Sequence, residues 1–264
     1  MITASWGSLA ALMRRADVVV EVIDARTPPT TRSRRLERLA ETLGKPIILA
    51  LNKSDLVPRD VAEEWVRMFR SEGYEAVYLA AREHKGTRIL RGKINKAVDI
   101  RPTVVAVVGY PKTGKSSVIN ALRGRSGAST SPIPGSPGYT KRAGIYRGPG
   151  NIYFLDTPGV IPPDGTPLEK TLRGASPEKL KDPVRPAMEL IRMMKKYQPW
   201  VIKDAYGFDS DDPYEFLEEL ARRRGWFYKS DHEPLVEQAA RAVITDYHKG
   251  KIRFYLPPSA YRRL

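Results

Sequence analysis

The run Gly109-Tyr110-Pro111-Lys112-Thr113-Gly114-Lys115-Ser116 constrains this chain more than any other stretch. It follows the apolar residues Val104 to Val108 and precedes Val118, Ile119 and Leu122 at helical spacing. A buried strand, a glycine-bounded loop and a helix are therefore expected in that order. Gly109 and Gly114 let the backbone curl until successive N–H groups point at one β-phosphate, and the helix N-terminus adds its positive end. Lys115 is then placed to bridge β- and γ-phosphate oxygens. Ser116 can put its hydroxyl on Mg²⁺, a hard ion that prefers oxygen and keeps several waters. Tyr110, Pro111, Lys112, Thr113 and Ser117 complete the expected nucleotide cradle.

Further motifs extend this reading. Asp156-Thr157-Pro158-Gly159 ends the strand-like run Ile152 to Leu155. There the Asp156 carboxylate can reach Mg²⁺ through a water, and the Gly159 amide can meet the γ-phosphate. The same residues also make ordinary turns. Between the two motifs, Thr140 is expected to add a loop hydroxyl to the Mg²⁺ shell when a γ-phosphate is present. Upstream, Asn52-Lys53-Ser54-Asp55 follows the apolar run Ile47 to Leu51. The Asp55 carboxylate can accept from N1–H and the N2 amino group of guanine, whereas adenine would leave it unpaired, so GTP is expected rather than ATP. Asn52 can bond the base edge and tie the loop to the phosphate site, with the Lys53 stem along the ring. A polar loop with a helix cap explains the same four residues more plainly. Ala80-Ala81-Arg82 fits a small-residue turn whose N–H touches guanine O6.

The surrounding pattern is α/β. Strands are expected at Asp17 to Asp24, Lys45 to Asn52, Tyr74 to Ala81, Val104 to Val108 and Asn151 to Leu155. Crossover helices are marked by Leu36, Leu39, Ala40 and Leu43 and by Val61, Trp65, Val66 and Phe69. The expected architecture is a doubly wound, mainly parallel sheet of P-loop type over residues 1–162. The stretch Gly124 to Gly150 is rich in turn residues, and Ser126 to Tyr139 is read as a switch loop. A linker at Pro162 to Pro167 opens a smaller, mainly helical domain over 163–264. In it Asp212-Pro213 caps one helix ended by Gly225, and Pro234 opens another ended by Gly250. Lys251 to Leu256 reads as a short strand.

Of the chain's 264 residues, 45 are Lys or Arg and 30 Asp or Glu, for a formal charge of +15. Residues 1–160 hold 26 of the basic and 14 of the acidic residues, so the excess is concentrated there. Such a surface favours polyanionic partners such as RNA or ribosomal particles, and a heat-adapted surface is the plainer alternative. Apolar runs stop well short of the roughly 18 residues a membrane span needs. No export signal is expected, since Arg14, Arg15, Asp17 and Glu21 interrupt the N-terminal region. The absence of cysteine excludes disulfides, thiolate metal sites and thiol catalysis, and fits the cytoplasm.

The base motifs at 52–55 and 80–82 precede the phosphate motifs at 109–116 and 156–159, the reverse of the usual GTPase order. With Asp24-Ala25-Arg26-Thr27-Pro28 after the first strand, this circularly permuted arrangement resembles the YlqF/RbgA/YawG GTPases of ribosome assembly. The similarity extends, more loosely, to Tyr214–Glu218 with Arg224-Gly225, and to Ala239–Arg241 with Asp246–Lys251. The resemblance implies GTP and GDP as ligands, Mg²⁺ as cofactor, and rRNA and the large ribosomal subunit as partners. A monomer away from membranes is the expected state.

Residue 160 is Val where many GTPases carry a water-orienting Gln, and residues 1–160 contain no Gln and only His84. Intrinsic hydrolysis is therefore expected to be slow, in line with the hydrophobic substitution the family carries. Met1 to Ser8 offers no His of the kind some relatives place there. Lys112 stands where many relatives have an Asn that helps hold K⁺, so its ammonium is a candidate replacement for that ion. Lys115, Lys112, Thr140 and Gly159 are the residues expected to act on the phosphates. Release of Thr140 and Gly159 after hydrolysis would relax the switch and reach the second domain directly. Arg222, Arg223, Arg224, Lys249, Lys251 and Arg253 neighbour Trp226, Phe227, Tyr228 and Tyr255, a combination suited to RNA or to a helix end packed on core aromatics. The alternative to a hydrolase is a guanine-nucleotide-sensing RNA-binding scaffold.

Overall fold

The computed structural model describes residues 6–124, 145–156 and 161–261. The chain divides into two compact units, Met1–Pro162 and Pro163–Leu264. The first is built on a six-stranded sheet: β1 (Val18–Asp24), β2 (Ile47–Asn52), β3 (Glu75–Leu79), β4 (Thr103–Val108), β5 (Ile145–Gly148) and β6 (Ile152–Asp156). Their spatial order is β3-β2-β1-β4-β6-β5, parallel except for β5, which pairs antiparallel with β6. β1 is buried along its whole length, as a central parallel strand with both faces covered must be.

Helices cover both faces. Leu9 and Met13 of α1 (Trp6–Arg14) and Leu36 and Ala40 of α3 (Arg34–Thr42) pack on Val19, Ala106 and Val108. The four-residue turn α2 (Pro28–Thr31) leads into α3, which Ser33 caps by accepting from Leu36 N–H at 3.3 Å. Leu90 and Ile94 of α5 (Thr87–Ala97) and Val118, Ile119 and Leu122 of α6 (Lys115–Arg123) pack on the opposite face, against Val20, Val22, Val105 and Val107. α4 (Arg59–Ser71) buries Trp65 and Phe69, whose rings stack at 5.7 Å. The chain runs outward from β1 through β2 to β3 and returns to β4 on the other side of β1. The strand order thus reverses at the C-terminal ends of β1 and β4, where α/β sheets open a ligand crevice.

The second unit is helical: α7 (Pro167–Leu172), α8 (Val184–Tyr197), α9 (Val201–Tyr206), α10 (Pro213–Arg223), α11 (Val236–Lys249) and α12 (Pro258–Tyr261). Asp212 caps α10 by accepting from Tyr214 and Glu215 N–H, while Gly225 and Gly250 take positive φ just beyond α10 and α11. Lys251 to Leu256 forms no strand. Ile252, Phe254 and Leu256 are buried in alternation, as a strand's would be, but the segment has no β-partner. Tyr255 N–H donates instead to Gln198 Oε1 at 3.3 Å. No helix among the described residues is long and apolar enough to cross a membrane.

Candidate functional site

Sheet register brings the motifs to one edge. Asp24 lies opposite Asn52, Asn52 opposite Leu79, and Val107 opposite the backbone of Asp156. Sequence motifs some 100 residues apart therefore lie at the same end of one sheet, because five parallel strands run toward it.

The phosphate loop leaves β4 at Gly109, whose φ of 138° and close approach to Val22 O exclude a side chain. Lys112 and Gly114 also take positive φ, 59° and 97°. Such alternation turns successive N–H groups toward a common centre, the geometry of an anion nest. Thr113 is buried and its hydroxyl donates to Tyr110 O at 3.0 Å, closing the loop from within. Lys115, also buried, donates through Nζ to Gly109 O at 2.9 Å and Tyr110 O at 2.8 Å. Its ammonium is thus held over the loop by carbonyls. Pro111 is buried, Ser117 partly so, and Lys112 and Ser116 are exposed, with Ser116 in the first turn of α6.

Asn52 joins the base loop to the phosphate loop. Its Nδ2 donates to Thr113 O at 2.9 Å, and its Oδ1 accepts from Ala81 N–H at 3.1 Å. A carbonyl on one side and an N–H on the other fix which way the amide faces. A Cβ on Gly114 would collide with that amide. One N–H and one lone pair of Asn52 remain for a base. Within the Ala80-Ala81-Arg82 turn, one of whose N–H groups is expected to meet guanine O6, the Ala81 N–H is directed onto Asn52. Ala80 N–H donates to Lys85 O at 3.1 Å, and Arg82 lies in the short turn Ala81–Glu83. Asp55 is exposed in the turn Ser54–Leu56.

The end of β1 supplies Asp24 and Arg26 of the Asp24-Ala25-Arg26-Thr27-Pro28 motif, residues to which the sequence assigns no role in the site. Asp24, 4% exposed, accepts from Arg26 Nε at 3.0 Å, Arg26 Nη2 at 2.8 Å and Lys53 Nζ at 2.7 Å. Burial alone would push its carboxyl up, but the Arg26 and Lys53 cations hold it well below the usual range. Burial draws the Lys53 ammonium below its ordinary value against the pull of Asp24. Its readable signal was a carboxylate ending an apolar strand, followed two residues later by an arginine.

Thr140 and the residues Thr157, Pro158, Gly159 and Val160 lie outside the described residues, as does the whole of the Ser126 to Tyr139 stretch read as a switch loop. No group of three or more His, Asp or Glu side chains converges among the described residues. The donor available among the described side chains, the Ser116 hydroxyl, is a hard oxygen. It suits Mg²⁺ held jointly with nucleotide phosphates and water.

In the second unit, Arg222 and Arg223 pair with Glu218 and Glu219, and Arg223 also lies 4.2 Å above the Phe208 ring. Lys251 pairs with Asp246. Phe227 and Tyr228 are 37% and 47% exposed, so these two are surface groups and not core.

Comparison with known proteins places this arrangement in context. A sequence profile described as a 50S ribosome-binding GTPase matches residues 104–203. A GTP-binding protein of Methanocaldococcus jannaschii, itself described as uncharacterised, is 35% identical over 92% of the chain and 65% of its own length. Nucleolar GTP-binding protein 2 is 33% identical in Neurospora crassa and 31% in Saccharomyces cerevisiae. These matches cover 96% of the chain but only 41% and 53% of those proteins, so the chain spans about half their length. Among solved structures, GDP-bound YlqF superposes with a TM-score of 0.67 at 23% identity, covering 95% of this chain and 99% of that one. GNP-bound YlqF from T. maritima gives 0.65 at 24% identity, with 96% and 97% covered.

Proposed function

We propose that the chain is a circularly permuted P-loop GTPase of the YlqF/RbgA/YawG group, which binds GTP and GDP and hydrolyses GTP slowly to assist large ribosomal subunit assembly. The observation that carries the proposal is the Asn52 side chain. One amide holds both the phosphate loop and the Ala80–Arg82 turn, which makes base and phosphate motifs parts of a single site.

In this reading Asp55 selects guanine by accepting from N1–H and N2. The N–H groups of residues 109–114 and of the first turn of α6 receive the phosphates, and Lys115 exchanges its carbonyl partners for phosphate oxygens. Mg²⁺, bound with the nucleotide, supplies charge neutralisation at the phosphates, with Ser116 and Asp156 as protein donors and Thr140 joining in the GTP state. Lys112, in left-handed backbone at the rim, sets a fixed positive charge near the β–γ bridge. Hydrolysis is slow because residues 1–160 contain no Gln and their one His, His84, lies beside the base-side turn at 80–82, so neither side-chain type is available to orient a water. The names of the matching profile and of the nucleolar relatives support a ribosomal particle as the partner.

The test is GTP turnover by the purified protein, alone and with large ribosomal subunits, in K⁺ and in Na⁺. Acceleration by subunits, specific to GTP and changing less than about twofold between the two cations, is expected. Tight GTP binding without acceleration would favour the RNA-binding scaffold, and a several-fold preference for K⁺ would remove the role given to Lys112.

A further inference from the structure

The Lys53 ammonium is not directed at the phosphate loop. It crosses the strand ends to Asp24 Oδ2 at 2.7 Å, and the same carboxylate is gripped by two guanidinium nitrogens of Arg26, a side chain only 1% exposed. Asp24 is fixed from the backbone as well: its carboxylate accepts from Arg26 N–H at 3.0 Å, and its own N–H donates to Thr31 Oγ1 at 3.0 Å. Lys53 itself sits at φ 64°, ψ 33°, left-handed backbone that a residue with a Cβ adopts only under compensation. Directly after it comes the turn carrying Asp55. A rigid, buried carboxylate thus tethers the far end of the residue whose unusual backbone aims the base-reading turn.

We propose that Asp24, locked by Arg26, is a positioning residue for guanine recognition. By holding the Lys53 ammonium on β1, it keeps the Lys53 stem and the Asp55 turn in their binding arrangement before nucleotide arrives. Preorganisation of this kind raises affinity by removing ordering cost and adds no contact to the ligand. The inference rests on the guanine-binding reading above.

Two measurements test it. In nucleotide-free protein, the acetylation rate of Lys53 by an N-hydroxysuccinimide ester, followed by peptide mass spectrometry, reports the tether directly. Asp24→Asn should raise that rate several-fold, and an unchanged rate would overturn the proposal. Equilibrium titration with a fluorescent GDP should show Asp24→Asn and Lys53→Met each binding about tenfold more weakly, with the double variant no weaker than either. Binding within twofold of the parent by a folded Asp24→Asn, or losses that add in full, would overturn it. Should Asp24→Asn fail to fold, Lys53→Arg decides: its guanidinium can still reach Asp24, so affinity should recover over Lys53→Met, and no recovery counts against the tether. If the parent protein binds no guanine nucleotide, the functional reading itself fails, and the acetylation rates still judge the tether.

Discussion

Glu21 is the exception in β1, a strand buried along its whole length. It stands in the middle of β1, fully enclosed, accepting from Ser33 N–H at 2.7 Å through Oε1 while Oε2 has no partner. Burial, assisted by the Glu37 carboxylate, raises its pKa from the ordinary 4.5 to about 8. The folded state therefore holds a proton that the unfolded state releases above pH 4.5, so Glu21 favours folding at low pH and loses that advantage as pH rises toward 8. Glu21→Gln should unfold at a higher denaturant concentration than the parent at pH 8, with the difference shrinking toward pH 5. A constant difference across that range would contradict the assignment. Gly114 makes the second residue-scale case: Gly114→Ala would place a Cβ at φ 97° against the Asn52 amide. It should cost about 1–2 kcal/mol in urea unfolding and weaken GDP binding more than tenfold. The glycine pair and the Asn-Lys-Ser-Asp run were readable because each residue type answers one chemical demand. The Asp24–Lys53 contact was not, since a 29-residue separation becomes a 2.7 Å contact only through strand register.

Elements differ in legibility for the same physical reason. β1, β2, β3, β4 and β6 announce themselves as apolar runs because parallel strands are buried on both faces. β5 is four residues at a sheet edge, Ile-Tyr-Arg-Gly, too short and too mixed to show a period. α5 was passed over because no side chain caps it and Gly92 interrupts its pattern, although Leu90 and Ile94 sit four apart on its buried face. The segment 251–256 misleads in the opposite sense: it buries alternate residues and is tied to Gln198 just past α8, and alternation alone supplies no β-partner. α7 shows how strongly local chemistry defines an end. Thr166 accepts from Glu169 N–H at 3.2 Å, and the Glu169 carboxylate accepts from Thr166 N–H at 2.8 Å. Thr166→Ala should lower stability by about 1 kcal/mol, read from thermal or urea unfolding of the full chain.

At the scale of the whole molecule, the charge excess sits with the first, sheet-bearing unit, while the helical unit is nearly balanced and presents Phe227 and Tyr228 to solvent. If that unit grips RNA by stacking, the double variant Phe227→Ala/Tyr228→Ala should weaken RNA binding by about 1–3 kcal/mol per lost base contact without altering GDP affinity. Filter binding to rRNA fragments at fixed salt checks this, and a parallel loss of GDP affinity would point to misfolding. The permutation is what makes the molecule legible as a whole, because base motifs preceding phosphate motifs still converge when strand order places β2 and β4 on either side of β1. That convergence into one guanine-nucleotide site is the central claim, and competition against a fluorescent GDP by unlabelled GDP, ADP and XDP tests it most directly, on the parent and on Asp55→Asn. Xanthine carries an oxygen where guanine carries the N2 amino group, so an amide donor in place of the Asp55 carboxylate should favour it. The account predicts that GDP outcompetes ADP by at least about 100-fold on the parent, and that Asp55→Asn loses GDP and gains XDP. Equal competition by ADP and GDP, or a specificity untouched by Asp55→Asn, would contradict it.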